Sequence, residues 1–134
     1  MPFVEFPDVE LWATTYLRTA LAARPEPYAA GVKVGVAVPA TRSDRMVQVR
    51  RDGGPRLDAT REAARLGVNV WGKTEQEVTD LARLVRALLG GGADGAPVCR
   101  VHELSGPSPV ADESGQPRRF MTFELVVRGV DLTP

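Results

Sequence analysis

Residues 45–89 read RMVQVRRDGGPRLDATREAARLGVNVWGKTEQEVTDLARLVRALL, and this stretch decides the fold of the chain. Its first residues alternate apolar and polar side chains, which predicts a strand that ends at the turn sequence Asp52-Gly53-Gly54. A polar link over 55–63 leads into a second alternating segment over 65–73. A helix follows directly, so the stretch predicts two strands and a helix in one compact module.

The helix carries its own start and stop signals. Thr74 followed by Glu77 forms a capping box, in which each side chain is expected to accept a hydrogen bond from a free backbone N–H group. The glycine run 90–92 ends the helix and begins a flexible loop. One helix face is apolar and consists of Val78, Leu81, Ala82, Val85, Leu88 and Leu89. We expect this face to pack against the sheet.

Outside this stretch, apolar patterns predict a second helix and three further strands. The helix begins at Pro7 or Asp8, includes Trp12 as a core residue, and ends at the proline-rich run 24–27. The strands cover 32–38, where alternating valines give one well-buried face, 98–104, and the segment around 121–128. The order helix, three strands, helix, two strands predicts an α+β fold, with two helices packed on one face of a mainly antiparallel β-sheet.

Two polar segments interrupt this pattern as long loops. The first covers 39–44 and the second covers 105–117, which is rich in serine, glycine, proline and acidic residues. The second segment has two interpretations. It is either a disordered hairpin loop or an interaction arm that becomes ordered against a neighbouring subunit.

The size and composition of the chain fit one ordinary globular domain. Its 134 residues are enough to bury a core without disulfides or metals, so we expect a single domain over 1–134. Seventeen basic and seventeen acidic residues cancel, so no global field attracts DNA or an anionic membrane. The N-terminal sequence does not resemble a signal peptide, and no apolar run approaches the roughly 20 residues that span a bilayer. We therefore expect a soluble protein.

Residues with catalytic or metal-binding chemistry are few and poorly placed. His102 is the only histidine, and its neighbour Glu103 is expected to point to the opposite face of a strand, as is Cys99. This geometry disfavours a Cys–His pair and a metal site built on the histidine. The glycine runs lack the strand-to-helix context of a phosphate-binding loop. The sequence predicts no catalytic, cofactor-binding or metal site.

Arginines are concentrated between residues 42 and 65 and are interleaved with acidic residues. They form either a solvated face of mixed charge or salt bridges between the subunits of a ring, and direct readout of nucleic acid is the least favoured interpretation. Trp71 falls on the strand face opposite the valines, so it either packs under a helix or lies in an interface. As candidates for a subunit interface, the sequence indicates Arg50, Arg51, Asp52 and Trp71.

The arrangement of these elements resembles a known family. The chain has an N-terminal helix, a strand ending in RRDGG, a VxVWG strand, a TxxE helix containing LARxVRAL, and a closing strand RRFxTFELxVRG. This pattern is similar to that of the tail terminator proteins of long, non-contractile-tailed bacteriophages. The matching stretches are Met46–Gly54, Asn69–Leu89 and Pro117–Gly129, which cover about a third of the chain.

The resemblance implies a homo-hexameric ring that caps the tail tube, stops its polymerisation and offers its other face to a head-completion or connector protein. DNA would pass through the lumen without specific binding. The protein would be assembled in the host cytoplasm and lie at the head-proximal end of the phage tail. The loops 39–44, 90–96 and 105–117 are the expected occupants of the surfaces that a closed ring leaves free.

Two other interpretations stay open. One is a different virion part of similar size, such as another head–tail joining protein or a minor tail protein. The other is a small dimeric α+β domain that binds a ligand or acts as an enzyme. The second would have a compact pocket with convergent polar groups.

Overall fold

A computed structural model describes residues 3–92 and 97–132. These residues form two helices, a five-stranded sheet and a two-stranded ribbon. In chain order the elements are β1 (Val4–Glu5), α1 (Val9–Ala22), a 3₁₀ turn (Pro27–Ala29), β2 (Lys33–Gly35), β3 (Met46–Arg51), β4 (Arg61–Trp71), α2 (Glu75–Gly90), β5 (Val98–Pro109), β6 (Arg118–Arg128) and β7 (Val130–Asp131). No pattern in the sequence predicts the ribbon, in which β1 pairs with β7.

The main sheet has the strand order β2-β3-β4-β6-β5. The pairs β3–β4, β4–β6 and β6–β5 are antiparallel, and only the pair β2–β3 is parallel. The predicted α+β fold with a mainly antiparallel sheet is therefore confirmed. Within the described part of the chain, no helix is both long and apolar enough to cross a membrane.

Both helices pack on one face of the sheet and bury a continuous apolar core. The core residues of the helices are Val9, Ala13, Leu17 and Leu21 in α1 and Val78, Leu81, Ala82, Val85 and Leu89 in α2. Those of the three central strands are Val47, Val49, Ala64, Leu66, Val68, Val70, Met121, Phe123, Leu125 and Val127. Because each fully buried valine or leucine contributes roughly 1.5–3 kcal/mol, this layer is the main source of stability. Trp12, expected in the core, packs against its edge and stacks on Tyr16 at 5.1 Å between ring centroids.

The predicted strand over 32–38 is wrong in length and burial. Strand β2 covers only Lys33–Gly35, and the side chain of Val36 is 51% exposed. The reason is position: β2 is an edge strand, so it has a neighbour on one side only. After Gly35 the chain leaves the sheet and turns back toward β3. Alternating valines thus mark a short edge strand here and not a buried one.

The second predicted loop is also shorter than expected. Residues 105–109 belong to β5, which pairs with β6 as far as Pro109, so the loop covers only 110–117. The pairing of β5 with β6 shifts register at three points, and these irregularities hide the alternation that a regular strand would show. The flexible loop predicted after the glycine run 90–92 includes residues 93–96, which lie outside the described residues.

The helix starts follow the sequence signals with one change. The Asp8 carboxylate accepts from the Leu11 N–H at 3.0 Å and caps α1. The Thr74 hydroxyl accepts from the Glu77 N–H at 3.1 Å and caps α2. The reciprocal bond of the predicted capping box is displaced by one residue, because the Glu77 carboxylate accepts from the Lys73 N–H at 2.6 Å.

The carboxylate of Glu77 also binds Arg45, the residue immediately before β3. The Arg45 Nη2 atom lies 2.6 Å from the Glu77 Oε1 atom. The hydrogen bond from Arg45 lowers the pKa of Glu77 despite partial burial, with a further contribution from the Lys73 N–H. This pair ties the beginning of α2 to the beginning of β3.

The turn after β3 needs glycine at one position because of a steric clash. Gly53 and Gly54 both have positive φ, at 75° and 113°. A Cβ atom added to Gly54 would lie 1.9 Å from the Ala63 carbonyl oxygen, whereas one added to Gly53 meets nothing within 4 Å.

We predict that Gly54→Ala destabilises the protein more than Gly53→Ala. Backbone strain at positive φ costs about 1–3 kcal/mol in either variant, and the clash adds to this cost only at Gly54. Urea denaturation of both variants checks this prediction. Equal losses in the free energy of unfolding would show that the turn relaxes to admit the methyl group.

Candidate interface residues and the Trp71 clamp

Arg50 and Asp52 form an exposed ion pair at the end of β3. The Arg50 Nε atom lies 3.0 Å from the Asp52 Oδ1 atom, and the two side chains are 50% and 42% exposed. Surface pairs of this kind contribute about 0–1 kcal/mol to stability. Both groups can therefore exchange this contact for one with a neighbouring molecule at little cost.

Arg51 has a different role, because its contacts within the subunit stabilise the fold. Its guanidinium donates two hydrogen bonds of 2.9 Å to the carboxylate of Glu62, a residue only 7% exposed. Its backbone N–H donates to the carboxylate of Glu10 in α1 at 2.7 Å. The bonds to Glu62 raise the pKa of Arg51 against the opposing effect of burial. Removing the guanidinium would leave a buried carboxylate without its partner, which costs about 1–3 kcal/mol.

Trp71 lies far along the strands from the other three candidates. In the pairing of β3 with β4, Trp71 is opposite Met46 and Arg51 is opposite Leu66. The two sites are five residues apart along the strands, or roughly 17 Å. The structure therefore brings Arg50, Arg51 and Asp52 together at one end of the strand pair and places Trp71 at the other end.

Trp71 lies on the sheet face that carries no helix, which we call the helix-free face. The residue is only 2% exposed, although neither α1 nor α2 covers it. Two arginine side chains flank its indole ring: the Cζ atoms of Arg42 and Arg118 lie 5.7 Å and 5.5 Å from the ring centroid. Such cation–π contacts contribute about 0.5–2 kcal/mol, depending on how well the pair is shielded from water.

A carboxylate joins the two arginines. The Asp112 Oδ2 atom lies 3.0 Å from Arg42 Nη2, and the Asp112 Oδ1 atom lies 3.6 Å from Arg118 Nη1. We call the set Arg42, Trp71, Asp112 and Arg118 the Trp71 clamp. It connects three parts of the chain that are distant in sequence: the turn before β3, the end of β4, and the loop 110–117 with the first residue of β6.

Neighbouring amides complete the clamp. The Gln116 side chain accepts from Arg42 Nε at 2.7 Å and donates to the Ser43 carbonyl at 3.0 Å. The side-chain oxygen Oδ1 of Asn69, a fully buried residue, accepts two hydrogen bonds from Arg118 at 2.9 Å and 2.7 Å. The loop 110–117 is therefore held within its own subunit, an outcome that neither sequence-based interpretation of this loop anticipated.

The electrostatics of the clamp depend on Asp112. Burial raises the pKa of this carboxyl group, but hydrogen bonds from Ser114 and Trp71 and the charge of Arg42 outweigh that effect. The pKa of Asp112 consequently lies below its usual value. The indole Nε1 of Trp71 has no hydrogen-bond partner of ordinary geometry within the described residues, so its contact with Asp112 is a weak one.

A mainly apolar cavity of about 430 Å³ opens beside the clamp. Its walls are β2 and the segment 37–43, and its floor includes Met46, Gln48 and Trp71. The cavity is large enough for a small ligand or for a side chain from a partner protein.

The residues considered for catalysis are not brought into a reactive arrangement. Across β5 and β6, His102 is opposite Glu124, a neighbour that the sequence did not identify. Cys99 is exposed, and its thiol lies 3.8 Å from the Pro97 carbonyl oxygen. In residues 3–92 and 97–132, no group of three or more histidine, cysteine, aspartate or glutamate side chains is arranged to hold a metal ion.

No protein-family model matches the chain, and no curated protein sequence is significantly similar to it. The fold and the clamp therefore define the class only as an α+β protein. Its helices pack on one sheet face, and the loop 110–117 is held against the other face by the Trp71 clamp. The resemblance to tail terminators stays a prediction.

We predict that Asp112→Asn loosens the clamp and exposes Trp71 to water. The neutral amide cannot balance two guanidinium groups, and the loss should lower the free energy of unfolding by about 1–3 kcal/mol. The measurement is the emission maximum of Trp71 in a Trp12→Phe background, which should shift to longer wavelength. Glu113→Asn, in the same loop, is the matched control and should leave the emission unchanged.

The pH dependence of the Trp71 emission maximum has a defined sign. Because the folded-state pKa of Asp112 lies below its ordinary value of 3.8, its stabilising contribution is complete above that value. The contribution is lost as the pH falls through the lower, folded-state pKa. A change in Trp71 emission centred above pH 3.8 would contradict this assignment.

Proposed function

We propose that the protein is a tail terminator of a long, non-contractile-tailed bacteriophage. In this proposal it forms a homo-hexameric ring at the head-proximal end of the tail. One side of the ring contacts the tail tube protein and stops its polymerisation. The other side provides the attachment surface for a head-completion or connector protein, and DNA passes through the lumen.

The observation that carries the proposal is how the resembling stretches fold. Met46–Gly54 contains β3, Asn69–Leu89 contains the end of β4 and almost all of α2, and Pro117–Gly129 contains β6. Strands β3, β4 and β6 are adjacent in the sheet, and α2 packs on them. Three stretches that are separate in sequence thus form one contiguous centre, as expected if they descend from a common fold.

The surfaces of the subunit are compatible with a ring. A ring needs two different and complementary patches on each subunit. On the helix side, an apolar groove of about 590 Å³ runs along α1 and includes Trp12, Tyr16 and Leu11, whose side chain is 62% exposed. The Arg50–Asp52 pair provides a second patch, which is charged.

The loops also support the proposal. The loops 39–44 and 105–117 were expected on surfaces that face the tube or the head, and in the structure the second loop is limited to 110–117. The Trp71 clamp joins them at one end of the sheet, where they form a single tip. A rigid composite tip is better suited than two separate loops to docking on another protein ring, because less conformational entropy is lost on binding.

Arg50 is a cleaner test of the interface than Arg51. A substitution of Arg51 would disturb the internal pair with Glu62, so loss of assembly would be mixed with loss of stability. We predict that Arg50→Glu lowers the fraction of protein with the mass of six 14.5 kDa chains, by placing a negative charge beside Asp52. Light scattering, with negative-stain images of the same samples, provides the measurement.

Arg83→Glu is the matched control, because the Arg83 side chain is 75% exposed on α2 and makes only a 4.0 Å contact with Asp80. It should leave the hexamer fraction unchanged. Assembly is measured with and without purified tail tubes. If the wild-type chain forms no six-fold rings under either condition, the proposal fails. An unaltered hexamer fraction in Arg50→Glu would remove Arg50 from the interface.

The 430 Å³ cavity favours a second candidate, a dimeric ligand-binding α+β domain. Its lining includes Gln48 and Ser43, which supply polar groups to a mainly apolar space. This candidate predicts a dimer in solution and a thermal shift with small apolar ligands. The terminator predicts six-fold rings, so the oligomeric state separates the two.

A further inference from the structure

Most arginines of the described residues are occupied by partners within the subunit. Ten of them lie within 4.0 Å of a carboxylate. Arg18 and Arg56 donate to backbone carbonyl groups. In the described part of the chain, only Arg65, Arg100 and Arg128 have neither an ion pair nor a side-chain hydrogen bond.

These three arginines lie on one surface. Arg65 follows the core residue Ala64 in β4, and Arg128 follows the core residue Val127 in β6, so both face away from the helices. Arg100 in β5 is opposite Val126, which has the same orientation. All three side chains are exposed. They therefore share the helix-free face, at the end opposite the Trp71 clamp.

Arg61 extends the group, because it is directly opposite Arg128 in the pairing of β4 with β6. The Cβ atoms of such a pair are about 5 Å apart, and diagonal neighbours such as Arg100 and Arg128 are about 7–8 Å apart. Arg65 lies four residues from Arg61 along β4, or roughly 13 Å. We call Arg61, Arg65, Arg100 and Arg128 the arginine patch.

Three acidic residues lie near the patch. Asp52 is the cross-strand neighbour of Arg65, whose carbonyl oxygen accepts from the Asp52 N–H at 2.8 Å, but the Asp52 carboxylate pairs with Arg50. Asp58 binds Arg61 through two bonds of 2.9 Å and 2.7 Å, which hold the pKa of Asp58 at about 2. Glu124 is opposite both Arg65 and His102 but lies beyond 4.0 Å of any arginine nitrogen. Like charges on adjacent strands are unfavourable for the sheet. A surplus of positive charge at this place therefore indicates an external anion.

We propose that the arginine patch binds the phosphate backbone of duplex DNA without reading its sequence. Guanidinium forks match phosphate oxygens in geometry and charge. The spacing of the patch allows contacts with several phosphates of one duplex. A broad sheet face is too wide to enter a groove, so the contact is with the backbone and carries no sequence information.

This inference rests on the proposed function for the source of the DNA and for the orientation of the helix-free face toward the lumen. It refines the expectation that DNA passes without specific binding. The net charge of the chain is zero, yet its distribution leaves a positive surface where a duplex would slide past. A few contacts per subunit with the DNA backbone guide the duplex. They still exchange rapidly, because they do not depend on the DNA sequence.

The test is fluorescence anisotropy of two labelled duplexes of unrelated sequence with the full-length protein. Both should bind with the same affinity. With about three phosphates contacted, affinity should fall about 40-fold between about 50 and 200 mM salt. The triple variant Arg65→Gln, Arg100→Gln and Arg128→Gln should lose at least about tenfold in affinity at the lower salt concentration, with a flatter salt dependence.

The matched control is the triple variant Arg18→Gln, Arg24→Gln and Arg83→Gln, which removes the same charge from the helix side of the subunit. It should stay within about twofold of wild type. An equal loss in both triple variants would assign binding to net charge and overturn the inference. The inference would also be overturned if the wild-type protein did not bind DNA, or if its affinity for DNA did not depend on salt. Tighter binding to poly-glutamate than to DNA would reassign the patch to an acidic protein partner.

Circular dichroism establishes whether each variant is folded. If the triple variant does not fold, the single variant Arg100→Gln replaces it. The single variant should reduce the slope of affinity against salt by about one. Ring formation is measured on the same samples. Intact rings without DNA binding overturn this inference alone, whereas DNA binding without rings overturns the proposed terminator function.

Discussion

The antiparallel pairing of β4 with β6 is the constraint on which the rest of the structure depends. It extends over eleven residue pairs, from Arg61 opposite Arg128 to Trp71 opposite Arg118. Because side chains alternate along each strand, this single register assigns every residue of both strands to one of two faces. One face buries the apolar side chains under α1 and α2, and a slip of one residue would exchange the two faces entirely.

The same register also arranges the polar side of the sheet. At one end it places Arg118 beside Trp71 and within reach of Asn69, so that the clamp can form once the loop 110–117 brings in Asp112. At the other end it places Arg61 against Arg128 and leaves the arginine patch open. The helix-free face therefore has a closed, rigid end and an exposed, positively charged end.

This division bears on the proposed role in a phage tail. A subunit of a ring needs surfaces for its neighbours, for the structures above and below it, and for whatever passes through the centre. The α1 groove, the clamped tip and the arginine patch lie at different places on the subunit and differ in chemistry. The Arg50–Asp52 pair adjoins the arginine patch, because Asp52 is the cross-strand neighbour of Arg65. Arg51, although adjacent to Arg50, belongs to the interior through its bond with Glu62. Neighbours in sequence thus serve different purposes, because alternate residues of a strand face opposite sides.

The sequence by itself determined the features that depend on local periodicity and local chemistry. Both helices, their capping residues Asp8 and Thr74, the alternation in β3, β4 and β6, and the glycine turn after β3 were predictable, since each is encoded within a few residues. The position of Trp71 on the face opposite the core valines was predictable for the same reason. Local patterns failed where pairing is irregular or at an edge, as in β5 with its register shifts and in the short β2.

Only the tertiary structure decided which distant residues meet. Arg42, Asp112 and Arg118 carry no signal in the sequence that marks them as partners of Trp71, because their contacts depend on how a turn and a loop close over the sheet. The separation of Trp71 from Arg50, Arg51 and Asp52 follows from strand register, and so does the arginine patch. Side-chain partners across strands are fixed by long-range pairing, and a linear pattern does not contain that information.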